Sequence, residues 1–226
     1  MTEIATQRKS YPESIPLFVK TNKQFISGLP RFMYTGPIQT IIGADTAERA
    51  VSVLRKSRLL GIDTETRPSF RKGESHKVAL LQISTEELCF LFRLNRIGFP
   101  QCLIDLLSDE SILKVGLSLK DDFHMLRARH PFSPKGFIDL QEFVKEMGIE
   151  DMSLQKLYAN IFHERISKRE QLSNWESDQL NPKQQLYAAT DAWTCIRLYE
   201  EICRLAETGD YELVTVEEPA PKQERK

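Results

Sequence analysis

Five side chains of this sequence have the types and spacing that chemistry would need. Asp63 and Glu65 close the apolar run Leu59-Leu60-Gly61-Ile62-Asp63-Thr64-Glu65. Tyr187 and Asp191 lie four apart in Leu186-Tyr187-Ala188-Ala189-Thr190-Asp191, so on a helix they share one face. Asp122 ends Val115-Gly116-Leu117-Ser118-Leu119-Lys120-Asp121-Asp122. An unpaired carboxylate beside Leu59, Leu60 and Ile62 costs several kcal/mol unless a cation or hydrogen-bond donors compensate. Converging carboxylates hold hard divalent cations, and the chemistry such a set supports is hydrolysis of phosphodiester bonds.

Each signal has an ordinary structural reading beside it. With 11 Asp and 21 Glu in the chain, a bare Asp-x-Glu arises by chance, and a strand-end Asp can cap the next turn. Asp121 and Asp122 both suit the first turn of a helix, where the macrodipole favours acids. Periodicity does not say which of the two points inward. Of the six tyrosines only Tyr187 has an Asp four residues later, and its helix also offers Leu186, Ala189, Trp193 and Ile196 at core spacing. The order and context of the acids, more than any one of them, make the case.

The elements that must position them follow from pattern. Leu59–Thr64, Val78–Ile83 and Leu88–Phe92 are of strand length and too apolar for one wet face, so they belong at the centre of a covered sheet, with connections short enough for an antiparallel meander. Gly36–Ile42 and Ile112–Leu117 read as further strands. The loop Arg67–Lys77 follows Asp63 and Glu65 directly and should hang over the site. Helices are expected over about Asp45–Lys56, opened by a capping box of Asp45 and Glu48, over Pro100–Leu107 and over Lys120–Arg129. Leu154, Leu157, Tyr158 and Ile161 form one helical stripe. Asn181-Pro182 opens a long helix to about Ala206, with Asn as N-cap and Pro at N1. Residues 1–35, with Pro12, Pro16 and Pro30, read as an extended arm, residues 36–210 as one folded domain, and residues 211–226 as a partly disordered tail.

Bulk properties bound the answer. The 226 residues, 41% hydrophobic and 28% charged, suit a single soluble domain with extensions. Cys89, Cys102, Cys195 and Cys203 have no CxxC spacing and sit in apolar runs, as reduced thiols of a cytoplasmic protein do. No apolar run is long enough to enter a membrane. The four histidines have no metal-ligand spacing, and no glycine-rich loop follows the first strand, which excludes a dinucleotide cofactor of the Rossmann type. A net charge of −1 is not the footprint of tight phosphate binding, although a locally basic lip suffices to hold a strand end.

The motifs Gly-Ile-Asp-Thr-Glu-Thr, Gly-Leu-Ser-Leu-Lys-Asp-Asp and Tyr-Ala-Ala-Thr-Asp-Ala resemble the three exonuclease motifs of the DEDD superfamily, in its tyrosine-containing DEDDy branch. Arg67-Pro68-Ser69-Phe70, Lys77 to Gln82 and Leu172-Ser-Asn-Trp175 add to a likeness running from about Ile42 to Ala206, in particular to Werner-type and ribonuclease D-like 3′-5′ exonucleases. The resemblance implies an α/β, ribonuclease H-like fold with a mixed β-sheet of about five strands flanked by α-helices. It implies that Asp63, Glu65, Asp122 and Asp191 hold two divalent ions, Mg²⁺ or Mn²⁺, with Asp63 between them. Asp122 is preferred over Asp121 by the family register counted from Gly116. Tyr187 would orient, and help deprotonate, the attacking water. Thr66 stands where Werner-type domains have a tryptophan, so that part of the groove differs.

The implied activity is removal of nucleoside 5′-monophosphates from a nucleic-acid 3′ end. Arg67, Arg71, Lys72 and Lys77 on one side, with Arg165, Lys168 and Arg169 on the other, are candidates to bind the strand. Phe70 and Trp175 are candidates to stack on bases, although a core anchor is the stronger reading of Trp175. Two rivals are a hydrolase of short oligonucleotides or small nucleotides, and an inactive nucleic-acid-binding module. The sequence favours neither DNA nor RNA and carries no signal of oligomeric state.

Overall fold

The structure, a computed structural model, describes residues 14–215. In chain order the elements are β1 (Ile15–Phe18), α1 (Lys23–Gly28), β2 (Ile38–Ile41), α2 (Ala44–Leu54), β3 (Leu59–Glu65), β4 (Leu80–Ser84), β5 (Cys89–Phe92), α3 (Leu94–Ile97), α4 (Gln101–Leu107), β6 (Leu113–Gly116), α5 (Leu119–Arg127), β7 (Phe137–Asp139), α6 (Leu140–Glu146), α7 (Leu154–Phe162), α8 (Pro182–Thr208) and β8 (Tyr211–Val214). Six strands form a mixed sheet in the order β2-β5-β4-β3-β6-β7. The pairs β3·β4 and β4·β5 are antiparallel, as the three apolar runs predict; β2·β5, β3·β6 and β6·β7 are parallel. Every residue of β4 and β5 is buried, the mark of strands covered on both faces.

Alternation along the strands sorts the core into two layers. Leu60 and Ile62 of β3, with Leu81, Ile83, Phe90 and Phe92, pack against α2, α4 and α5. The opposite face, with Leu80, Leu91 and Val115, receives α8, flanked by α6 and α7. The start of α8 is fixed by Asn181, whose Oδ1 accepts from the Lys183 and Gln184 amides at 2.9 and 3.0 Å. The Gln184 side chain returns to the Asn181 amide at 3.0 Å. Pro182 at the first helical position completes the expected signal.

Several expectations are corrected. The N-cap of α2 is Gly43, with no capping box from Asp45 and Glu48; the Thr46 hydroxyl donates to the Gly43 carbonyl at 2.7 Å instead. The sheet gains a sixth strand, β7, only three residues long and too short to show alternation. Residues 14–35, read as an extended arm, contain β1 and α1, and Leu17 is fully buried. β1 pairs in parallel with β8, which lies in the stretch read as a tail. Asn160 of α7 pins β1, its side chain accepting from the Phe18 amide and donating to the Phe18 carbonyl, both at 2.8 Å. The outer parts of the expected arm and tail, residues 1–13 and 216–226, lie outside the described residues. Among the described residues no helix is long and apolar enough to cross a membrane.

Candidate active site

β3 sets the geometry. Leu60 and Ile62 point into one layer of the core, so Gly61, Asp63 and Glu65 face α8. Gly61 has a specific task there. A Cβ at this position would lie 2.0 Å from the Ala192 carbonyl oxygen, so only glycine lets the α8 backbone come this close. That approach carries Asp191, one residue before Ala192, against the strand. Asp63, Glu65 and Asp191 then each place a carboxylate oxygen within 4.8 Å of the other two.

Glu65 and Asp191 are buried, and Asp63 is half-buried. Burial, reinforced by the neighbouring acids, holds the Asp63 carboxyl well above the usual carboxylate range. The same causes push Glu65 up to about 10. Burial raises Asp191 to about 7, with the Tyr187 hydroxyl and Lys168 pulling it part of the way back. Asp191 Oδ1 has no hydrogen-bond partner among the described residues. A cleft of about 250 Å³ opens on the three acids, and Tyr187, Lys168, Gln155 and Gln171 also line it.

Tyr187 is wedged in place by Trp175, whose ring lies 6.0 Å away and is fully buried. Trp175 is therefore a core anchor and not a base-stacking surface. Asp122 does not join the three acids. Its Oδ1 accepts a hydrogen bond from the Thr64 hydroxyl, which points to the opposite face of β3 from Asp63 and Glu65. Burial lifts Asp122 to about 6, with the Thr64 hydroxyl opposing. Asp121, by contrast, is exposed, so of the two acids Asp122 is the one that turns inward.

The sequence model of the 3′-5′ exonuclease family matches residues 38–207, three quarters of the chain, from β2 through nearly all of α8. The chain belongs to the 3′-5′ exonuclease family. Among its relatives, the bifunctional 3′-5′ exonuclease/ATP-dependent helicase WRN of Mus musculus is 30% identical over 175 residues, 74% of this chain but 12% of the relative. The chain thus corresponds to a small part of that protein. The Aedes aegypti Nibbler EXO domain superposes with a TM-score of 0.71 at 18% identity, covering 78% of this chain and 93% of that one. The Trypanosoma brucei RNase D in complex with RNA U12 superposes with a TM-score of 0.65 at 19% identity, covering 74% and 63%. At these identities the structures establish the shared ribonuclease H-like exonuclease fold, as the motifs predict.

Of the expected strand-binding cations, Lys168 alone lines the carboxylate cleft. Arg169 lines a neighbouring cavity that also includes Tyr187. Arg67 is held 3.4 Å from Glu176, while Arg71, Lys72 and Lys77 stand exposed on the β3–β4 loop beside Phe70. His76 of the same loop sits between Glu74 and Glu176, at 3.2 and 3.3 Å. Sequence reasoning missed three positions. Gln82, the cross-strand partner of Asp63, is fully buried with neither amide atom paired among the described residues; a glutamine inside Leu80-Leu81-Gln82-Ile83 was its signal. Gly61 was visible only as part of a motif. Asp139 had no sequence signal.

Asp139 positions α5, and with it Asp122. Its carboxylate accepts from the Ser118 and Leu119 amides at 2.9 and 2.8 Å, holding Ser118 in the left-handed region at φ 62°, and also caps α6 through the Gln141 amide at 3.0 Å. Asp139→Ala is expected to cost about 2 kcal/mol of stability and to lower family activity more than Asp139→Asn, which keeps an acceptor. Thermal unfolding and turnover of both variants check this.

The raised carboxyls predict a distinctive pH response. Each neutral form is favoured in the fold, so the folded protein binds more protons than the unfolded chain. Its stability is therefore lost as pH rises from the ordinary carboxylate range through the folded values, about 6 for Asp122, about 7 for Asp191 and about 10 for Glu65. Without metal, the melting temperature should fall between pH 5 and pH 8, and added Mn²⁺ should restore it most at the higher pH. Calorimetry in buffers of different ionisation enthalpy should show release of about one to two protons per protein on metal binding near pH 7. A binding event without proton release would mean the acids are already ionised in the free protein.

Proposed function

We propose that the chain is a metal-dependent 3′-5′ exonuclease that releases nucleoside 5′-monophosphates from a nucleic-acid 3′ end. The observation that carries this reading is the convergence of Asp63, Glu65 and Asp191 on an open cleft. Their chemistry fits a hard divalent cation: all donors are oxygens, the acids crowd one another, and Asp191 Oδ1 is buried without a hydrogen-bond partner among the described residues. Asp63, Glu65 and Asp191 would hold two ions, Mg²⁺ or Mn²⁺, with Asp122 as the fourth acid once it leaves the Thr64 hydroxyl. When bound, such ions supply a nucleophile at neutral pH and offset charge on the attacking and leaving oxygens.

The remaining roles belong to this chain's own groups. Burial among carboxylates pushes the Tyr187 phenol up, so it keeps its proton and orients the attacking water as a hydrogen-bond partner. Lys168 adds positive charge at the cleft. Arg67, Arg71, Lys72 and Lys77 on the β3–β4 loop, with Arg169, bind the phosphate backbone, and Phe70, 80% exposed, stacks on a base. The catalytic unit is residues 36–210, with 1–35 and 211–226 as extensions joined through β1 and β8, and the setting is cytoplasmic.

Product analysis tests polarity and chemistry together. A 5′-labelled strand of DNA or RNA should shorten from its unlabelled end, giving a ladder of labelled intermediates and unlabelled mononucleotides that carry a 5′-phosphate. A labelled mononucleotide as first product, or products ending in a 3′-phosphate, would contradict the reading. The near-neutral net charge favours one alternative, preference for very short strands, which would show as turnover rising as the strand is shortened.

A further inference from the structure

Tyr187 lines a second cavity, of about 260 Å³, beside the carboxylate cleft. Three cations surround it: Arg31 from the segment before β2, Arg169 from the segment between α7 and α8, and Lys183 from the first turn of α8. Among the described residues Glu170 is the only acid in its wall, and Met33 and Leu186 give it an apolar side. None of the three cations has an acidic partner among the described residues. The segment carrying Arg31 is fixed in place. The Phe32 amide donates to the Arg165 carbonyl at 3.0 Å, the Arg165 amide donates to the Pro30 carbonyl at 2.9 Å, and the Phe32 ring stacks on Trp193 at 5.4 Å. Arg31 and Met33 precede residue 38, where the family match begins, so this wall is built from the chain's own extension.

Unpaired cations around a concave, partly apolar wall suit a ligand that is both anionic and flat-faced, as a nucleotide is. The shared Tyr187 sets its place on the substrate. With the scissile phosphate at the three acids, a ligand in the second cavity is the neighbouring nucleotide on one side or the other. The nucleotide being released has no phosphate besides the scissile one, and its far end is an uncharged 3′ hydroxyl. The nucleotide on the 5′ side brings the next phosphate. Three cations against one acid call for that extra charge.

We infer that the cavity of Arg31, Arg169 and Lys183 is the subsite for the nucleotide immediately 5′ of the scissile bond and grips that nucleotide's 5′-phosphate. The inference rests on the exonuclease reading for the placement of the scissile phosphate. Phosphate contacts of this kind fix register without reading sequence, so the subsite acts on any base. It also makes a dinucleotide with a 5′-phosphate the shortest strand that fills both sites.

Two dinucleotides of one sequence, with and without a 5′-phosphate, test the inference on the full chain. Their binding is measured by calorimetry without metal, where repulsion from the acids acts on both alike and the ratio of affinities reports the second cavity. The wild-type protein should bind the phosphorylated form at least about tenfold more tightly, and Arg31→Ala/Lys183→Ala should bring the ratio to within about twofold. Arg31→Lys/Lys183→Arg, which keeps both charges, should retain the preference, and equal melting temperatures will show that all three proteins are folded. With metal present, the alanine variant's loss should fall on KM and not on kcat, and the salt dependence of its binding should flatten. A ratio near one in the wild type, or a preference that survives the alanine variant, overturns the inference. Absence of nucleotide release by the wild type would instead defeat the exonuclease reading, and the binding ratio would separate the two failures.

Discussion

Asp191→Asn should abolish nucleotide release while making the metal-free protein more stable. The two effects have one cause. Asp191 is buried within 4.8 Å of Asp63 and Glu65, and burial has already raised it to about 7. At pH 8 it is largely ionised and adds a buried negative charge to a crowded group, with its Oδ1 unpaired among the described residues. An asparagine keeps the shape, removes the charge and offers an amide that can donate to a neighbouring carboxylate. In EDTA the melting temperature should therefore rise by a few degrees. Removing one acid of the set would leave a bound cation poorly held, and the loss in kcat should reach about a thousandfold or more. Stabilisation of the protein by Mn²⁺ should shrink at the same time. A variant that loses stability in EDTA would show that Asp191 serves the fold and not the ion.

The second large effect lies at a residue with no functional group. At Gly61 an alanine Cβ would sit 2.0 Å from the Ala192 carbonyl oxygen and 2.9 Å from an Ile196 side-chain carbon. The first contact is with backbone, so no rotamer change relieves it, and α8 must shift away from β3. Overpacking of this kind costs about 3 kcal/mol. The same shift draws Tyr187 and Asp191 away from Asp63 and Glu65, and a displacement of about 1 Å at a reacting centre costs roughly a hundredfold in rate. Gly61→Ala should thus lower both the denaturation midpoint and turnover. Gly28→Ala, where a Cβ meets nothing within 4 Å, is the control and should change neither appreciably.

Elements whose signal is local were legible in the sequence. The apolar runs of β3, β4 and β5 and the Asn181-Pro182 start of α8 state their own structure, and together they carry four of the five expected side chains. Asp122 was placed on the correct helix, yet its hydrogen bond to Thr64 depends on the facing strand and has no sequence pattern. β1, β7 and β8 have three or four residues each and make sense only as partners of other strands; Ile15–Phe18 becomes a strand because Tyr211–Val214 lies beside it. Asp139 is one of many acids until the fold brings the Ser118 and Leu119 amides to it. Arg31 likewise looks like a stray cation in a proline-containing arm, about 150 residues from the helix it faces. Chemistry-bearing motifs could be read directly, whereas long-range electrostatic placement could not.

Asp63, Glu65 and Asp191 are proposed to form a divalent-cation site for cutting a strand from its 3′ end. Release of mononucleotide from 3′-labelled DNA and RNA of matched sequence, followed as Mn²⁺ or Mg²⁺ is titrated in, tests it most directly. Release should rise with metal, vanish in EDTA and be lost in a folded Asp63→Ala protein. Release that persists in EDTA or in Asp63→Ala, or none at all from the folded wild-type protein with metal present, would contradict it.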